Sequence, residues 1–274
     1  MRPVLLLFAA ISAQSSSALD TRLSRLDQYL SEYEPRLSQV IADEDMSQTR
    51  PARSRAASPF RHQLKSEVAF VRLPGDGAWL GYRNVKSVNG RSVSQSSDRL
   101  LELLARGPDE QRRAAIIARE SARHNLGGPR TINVPTLPLE FLHPRNRTRL
   151  TFTLLSMEQV GGRQLRRIAF EETQRPTLVR GPADEDLSSY GSAWIEEGSG
   201  RVLETEVRLY APAVGRGARD AVIHVWFAEQ TTLGFLVPSR MQEIFAIDND
   251  QGRSDARYSN FRAFSTSARI VPQP

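Results

Sequence analysis

Four histidines, His62, His124, His143 and His224, are the side chains best suited to bind a metal or move a proton, and no two of them stand four residues apart on a helix. The HExxH signature of a zinc protease is therefore missing. Glu120 and His124 do have i, i+4 spacing, which would put a carboxylate and an imidazole on one helix face; a solvated helix contact needs the same spacing. His224 lies between Ile223 and Val225 in an apolar run and reads as a half-buried histidine with its nitrogens satisfied. A serine hydrolase of the elbow type requires Gly-x-Ser-x-Gly, whereas Gly191-Ser192 continues into Ala193-Trp194. Glycoside chemistry needs two facing carboxylates. Glu171, Glu172, Glu196, Glu197, Glu204 and Glu206 are the candidates, but they fall at hairpin edges or on the polar side of alternating segments. The stretch at 248–252, Asp-Asn-Asp-Gln-Gly, begins like a calcium loop but lacks the closing glutamate and follows a strand pattern, so a turn is expected. Gly161-Gly162, Gly215 and Gly217 read as turn glycines with no phosphate-loop context. No catalytic motif, metal set or cofactor signature emerges, and the chain reads as a binding protein rather than an enzyme.

Composition narrows the field further. The 274 residues contain no cysteine, which removes disulfides, iron–sulfur clusters, thiolate zinc sites and a cysteine nucleophile. Of the 37 basic residues only Lys65 and Lys86 are lysines, and with 31 acidic residues the net charge is +6. The arginines are scattered, and the densest group, Arg50, Arg53, Arg55 and Arg61, has no interleaved aromatics on which bases could stack. Nucleic acid is therefore not an expected partner. A hydrophobic content of 39% over this length supports a sizeable buried core.

Residues 1–18 carry Arg2, an apolar run from Val4 to Ile11, and small residues before Asp20. This is the layout of a secretory signal peptide, cleaved after Ala13 or Ala18, and the run is shorter than the roughly 20 residues that span a bilayer. No second apolar stretch is long enough to cross. The expectation is an exported protein, periplasmic or secreted, that is soluble after cleavage and has no transmembrane segment.

From Leu19 the apolar positions Leu23, Leu26, Leu30, Tyr33, Leu37 and Val40 advance by alternate steps of four and three, predicting an amphipathic helix over 19–46 that Pro35 kinks or divides. Its stripe serves either to pack across the domain or to dock a partner. Residues 47–62 are poor in apolar side chains and contain two prolines, as a linker would. Strand patterns follow at 64–73 and 78–88, separated by Pro-Gly-Asp-Gly, and Asn89-Gly90 marks a hairpin because a type I′ turn needs positive φ at both central residues. Two helices are predicted within 98–126, bounded by Ser97-Asp98 and by Gly127-Gly128. Beyond Pro138 period-two alternation prevails: Leu150, Phe152 and Leu154; Ile168 and Phe170; Leu203, Val207 and Leu209; then a segment from Ala221 that is apolar on both faces. The fold class is α+β: a large curved antiparallel sheet over 63–274, with the helices of 98–126 as its cover.

The succession Gly-Ser-Ala-Trp-Ile-Glu from Gly191, a glycine turn, Arg-Val-Leu-Glu-Thr-Glu, Ala-Val-Ile-His-Val-Trp-Phe, Leu-Gly-Phe-Leu-Val-Pro-Ser-Arg-Met-Gln-Glu and Ala-Arg-Tyr-Ser-Asn-Phe-Arg-Ala-Phe covers about a third of the chain. It resembles the LolA/LolB-like outer-membrane lipoprotein-sorting superfamily. Segments such as Tyr-Leu-Ser-Glu-Tyr-Glu-Pro-Arg-Leu and Ala-Arg-Glu-Ser-Ala-Arg-His-Asn-Leu-Gly-Gly also resemble a group of exported proteins common in acidobacteria. The resemblance implies a half-barrel whose apolar space, between sheet and helical lid, holds an acyl chain or another lipid. Trp194, Leu209, Val225, Phe227, Met241 and Phe245 are the strand positions expected to line it. The alternative is a cell-envelope interaction protein that docks a partner through the 19–46 helix.

Overall fold

Alternation with period two dominates the chain after residue 38, and it builds a single open, curved antiparallel sheet of eleven strands. The structure is a computed structural model describing residues 4–52, 58–72, 79–93, 110–128, 130–181, 184–211, 219–247 and 250–263. The strands are β1 (Val40–Arg50), β2 (Phe60–Arg72), β3 (Trp79–Val88), β4 (Arg91–Ser92), β5 (Leu150–Val160), β6 (Arg163–Glu172), β7 (Ser188–Glu196), β8 (Val202–Ala211), β9 (Arg219–Gln230), β10 (Phe235–Ile247) and β11 (Asp250–Ala263). Their order is β4-β3-β2-β1-β11-β10-β9-β8-β7-β6-β5: two meanders joined where the first strand pairs with the last. β4 and β5 follow one another in sequence yet occupy opposite edges. The connection between them must reach the far edge of the sheet, ten strand spacings or about 48 Å away, and its later part, with Leu139, Phe141 and Leu142, crosses one face, called here the inner face.

The helix α1 (Val4–Leu37) lies on that inner face. Leu26, Leu30, Tyr33 and Leu37 are buried at the predicted spacing and share one core with the strands. Pro35 falls in the last turn, where its missing N–H costs one bond to the Ser31 carbonyl and too little helix follows for a kink or a second helix. The helix thus ends well short of residue 46. Residues 40–50 form β1, with Val40, Ala42, Glu44, Met46 and Gln48 turned to the buried side. The polar pair Glu44 and Gln48 hides the alternation, and Val40 extends the heptad count by coincidence. The expected linker is likewise shorter, because 47–50 belong to β1 and 60–62 to β2; residues 53–57 lie outside the described residues. Asn89 and Gly90 have φ of +49° and +78°, as the predicted type I′ turn requires. The expected turn at 248–252 is only partly described: Asp250, Gln251 and Gly252 already belong to β11, pairing with Ile247, Ala246 and Phe245, and residues 248–249 lie outside the described residues.

The cover also differs from expectation. The helix α2 (Glu110–Ala122) is the described part of 98–126, residues 98–109 lying outside the described residues. Its Ile117 packs on Ala69, Val71 and Tyr82, which belong to the opposite face of β2 and β3 from the main core. Ser121 Oγ accepts from the Arg83 N–H at 3.1 Å and donates to the Gly81 carbonyl at 2.8 Å, satisfying the free edge of β3. The main apolar face is instead covered by α1 and by the crossing segment, where Leu139 of the short helix α3 (Leu137–Glu140) and the following Phe141 and Leu142 are fully buried. Topology explains the exchange: α2 leaves from the β4 edge, before the chain has reached the apolar centre.

Candidate functional site

The inner face has two halves of different chemistry. Under α1, strands β6 to β10 present apolar side chains. Leu209 on β8, Val225 and Phe227 on β9, and Met241 on β10 are buried in one cluster with the α1 stripe, Leu139, Phe141 and Leu142. Val225 pairs directly with Met241 and Phe227 with Pro238, so these side chains are cross-strand neighbours. Aromatic contacts close the patch at its margins: Tyr33 meets Phe235 edge-on at 6.0 Å and Phe141 stacks on Phe170 at 5.5 Å. Phe245 is buried at the boundary of the second half, with the Arg130 guanidinium 3.4 Å above its ring.

Of the six expected lining residues, the structure therefore brings Leu209, Val225, Phe227, Met241 and Phe245 to the inner face. Trp194 is on the other side. Ala193 and Ile195 occupy the inner positions of β7, and alternation turns Trp194 outward, where its Nε1 donates to Glu158 at 3.2 Å.

What holds α1 in place is a charged rim around an apolar centre. Arg22 pairs with Glu197, and the Arg25 guanidinium donates to the Glu197 carbonyl at 2.8 Å. Asp27 pairs with Arg147; burial pushes the Asp27 carboxyl up despite that partner. Glu34 is 2% exposed and gathers Arg72, His143 Nε2 at 3.2 Å and the Trp79 Nε1 donor at 3.4 Å. Arg36 donates to the Leu233 carbonyl at 3.0 Å and lies over the Phe235 ring. Burial also raises the Tyr33 phenol far above its ordinary value, so it stays neutral. Gly200 lets the β7–β8 turn touch the helix: its φ is +72°, and a Cβ there would lie 2.6 Å from the Arg25 backbone.

The second half of the inner face, on β1 to β3, β10 and β11, is polar and lies beneath residues 121–134. Arg83 forms a buried two-bond pair with Glu44, at 2.5 and 2.9 Å, and donates to the Asn133 carbonyl at 3.2 Å. Gln48 bridges Asn125 and the Leu126 N–H, while Arg130 pairs with Glu243 at 2.9 Å. These groups are satisfied by one another and pin the crossing segment to the sheet; they leave α1 as the cover of the apolar half. The rim partners were not among the expected residues, although a glutamate beside Tyr33 on the apolar stripe and the isolated His143 were the available signals.

The outer face carries a stack that sequence reasoning missed. Arg167 lies over Trp194 at 4.8 Å, Trp194 and His224 are 6.2 Å apart, His224 stacks on Trp226 at 3.9 Å, and Arg240 lies over Trp226 at 5.2 Å. His224 Nε2 is 2.6 Å from Glu204 Oε1. With both ring faces occupied, this imidazole is built into the stack rather than presented to a substrate. Beside the stack is a groove of about 620 Å³. Among the described residues no three His, Asp or Glu side chains are grouped to hold a metal ion, and no helix is long and apolar enough to cross a membrane.

No family model and no curated protein matches the chain. Among solved structures it is similar to a candidate outer membrane lipoprotein-sorting protein domain from Vibrio parahaemolyticus, at 12% identity over 87% of this chain and 92% of that one, with a TM-score of 0.43. It is similar to a LolA superfamily protein from Nitrosomonas europaea at 13% identity, 93% and 97% coverage and a TM-score of 0.36. A DUF1329 family protein from Desulfovibrio piger shares 12% identity, with 95% of each chain covered and a TM-score of 0.36.

Proposed function

We propose that the protein is an exported carrier of a hydrophobic ligand, an acyl chain or lipid, which it seats on the inner face of its half-barrel. The observation that supports this is the way the apolar half of that face is covered. Leu209, Val225, Phe227 and Met241 belong to one continuous buried cluster, with Phe245 buried farther along β10, and α1 lies over that cluster through side chains alone, with no backbone pairing to the sheet. A chain of methylenes laid along those strands would cover the sheet side of the contacts that Leu26, Leu30, Tyr33 and Leu37 make. The outer-face Trp194 is not part of this seat. Docking of an envelope partner through α1 would compete with this arrangement, since the same stripe would have to leave the sheet. Removal of residues 1–18 on export leaves the stripe from Leu19 onward intact.

The test is native mass spectrometry of the mature protein from the exported fraction, followed by organic extraction. A bound mass released as fatty acyl or phospholipid species is expected. A protein that carries no such mass, and takes up none when incubated with long-chain fatty acid, refutes the reading.

A further inference from the structure

On the outer face of β5 to β8, three neighbouring register rows differ in height. One row runs Arg167, Trp194, Glu204; the next runs Thr153, Ala169, Ser192, Glu206; the third runs Thr151, Glu171, Tyr190, Arg208. Because Ala169 and Ser192 are short, the middle row is the floor of a trough of about 620 Å³ that crosses the strands. It opens at the β5 edge and is bounded toward β8 by Glu206 and Arg208, which pair at 3.0 Å.

Arg167 is the distinctive wall. Its stem and plane are fixed by the Trp194 ring and by the bond from Nε to Ser192 Oγ at 3.1 Å. Yet it forms no ion pair with a described residue, whereas its strand neighbours Arg163 and Arg166 pair with Glu196 and Glu197. A guanidinium held rigid with its terminal nitrogens unused is a preorganised receptor for a planar carboxylate. Opposite it stands the half-exposed ring of Tyr190, and the lining includes the hydroxyls of Thr151 and Thr153, the carboxylates of Glu171 and Glu206 and, at the β5 edge, the exposed Leu155. Those two carboxylates accept hydrogen bonds from hydroxyl groups, and Arg208 offsets the charge of Glu206. The trough crosses the strands, so its floor offers no unpaired backbone to an extended peptide.

We propose that this outer-face groove binds an acidic oligosaccharide, with a sugar carboxylate on Arg167, a ring face on Tyr190 and ring hydroxyls on the Glu206 and threonine side. The site is separated from the inner face by the sheet itself and does not depend on the carrier reading.

Titration calorimetry with a short oligogalacturonate and with its methyl ester, which keeps the rings and loses the charge, tests this. The acid should bind at least about tenfold more tightly than the ester, the worth of a charge-assisted bidentate contact. Arg167→Gln should abolish that difference, Arg167→Lys should keep part of it, and Ala169→Leu, which fills the floor, should weaken both ligands while thermal unfolding stays at the wild-type midpoint. Failure of the wild-type protein to bind either ligand overturns the proposal. So does binding that both Arg167→Gln and Ala169→Leu leave unchanged, or displacement of the oligosaccharide by equimolar acetate, which would reduce the groove to a simple anion site.

Discussion

Leu30→Ala separates a lid from a fixed core element. Leu30 is fully buried at the centre of the α1 stripe, between helix and sheet. Truncating such a leucine costs about 2.7–5 kcal/mol, the transfer term plus the cavity left behind. α1 is attached by side chains only, so the loss falls first on its docking and not on the eleven-stranded ladder. Taking about 3 kcal/mol, the population with α1 undocked rises roughly 150-fold. If the undocked form is the one that accepts an acyl chain, the apparent affinity for a fluorescent fatty acid strengthens by up to the same factor, until that form predominates. Two assays read this together. Amide hydrogen exchange should accelerate over residues 19–37 while β8 to β10 keep their protection, and fatty-acid titration should show the tighter binding. Equal acceleration across helix and sheet, with affinity unchanged or weaker, would refute the reasoning and make α1 part of the global folding unit.

The remaining predictions concern what frames the seat. Glu44→Gln leaves the Arg83 guanidinium buried without its countercharge and should cost about 3–5 kcal/mol in urea unfolding, whereas the double replacement Glu44→Leu/Arg83→Met should recover most of it. Gly200→Ala combines a left-handed φ with a 2.6 Å approach to the Arg25 backbone and should destabilise by about 1–3 kcal/mol, with faster exchange at residues 22–26; Gly198→Ala, whose Cβ would meet nothing within 4 Å, should change neither. The Asn260 amide holds the Asp43 carboxyl below its ordinary range, with Arg262 assisting, at the join between β1 and β11. A depressed folded-state pKa contributes stability that is present above the unfolded value and lost as pH falls through the folded one. Asp43→Asn should therefore lower the neutral plateau and flatten the acid limb of the stability curve, so that variant and wild type converge below about pH 4.

The parts of the fold that rest on local rules were legible: the stripe of α1, the Asn89-Gly90 turn and the alternating strands from Leu150 onward each follow from side chains within a few residues of one another. What was not legible depends on partners far away in sequence. β1 reads as polar because Glu44 and Gln48 occupy inner positions, and their burial is explained only by Arg83, Asn125 and the Leu126 N–H, which the topology brings to them from residues 83 to 126. Trp194 shows the same limit from the other direction. Its neighbours Ala193 and Ile195 are apolar, and a large aromatic between them looks like the core residue, until the register sets Arg167 and Trp226 in its row and His224 in the next on the outer face. The two faces thus exchange the roles that hydrophobicity alone would assign. The inner face buries charged pairs at one end because the crossing chain must be anchored there, and the outer face exposes tryptophans because guanidinium and imidazole planes cover them. The two proposed sites divide along the same line: an apolar seat on the inner face requires a removable cover, whereas a polar ligand on the outer face requires the rigid stack.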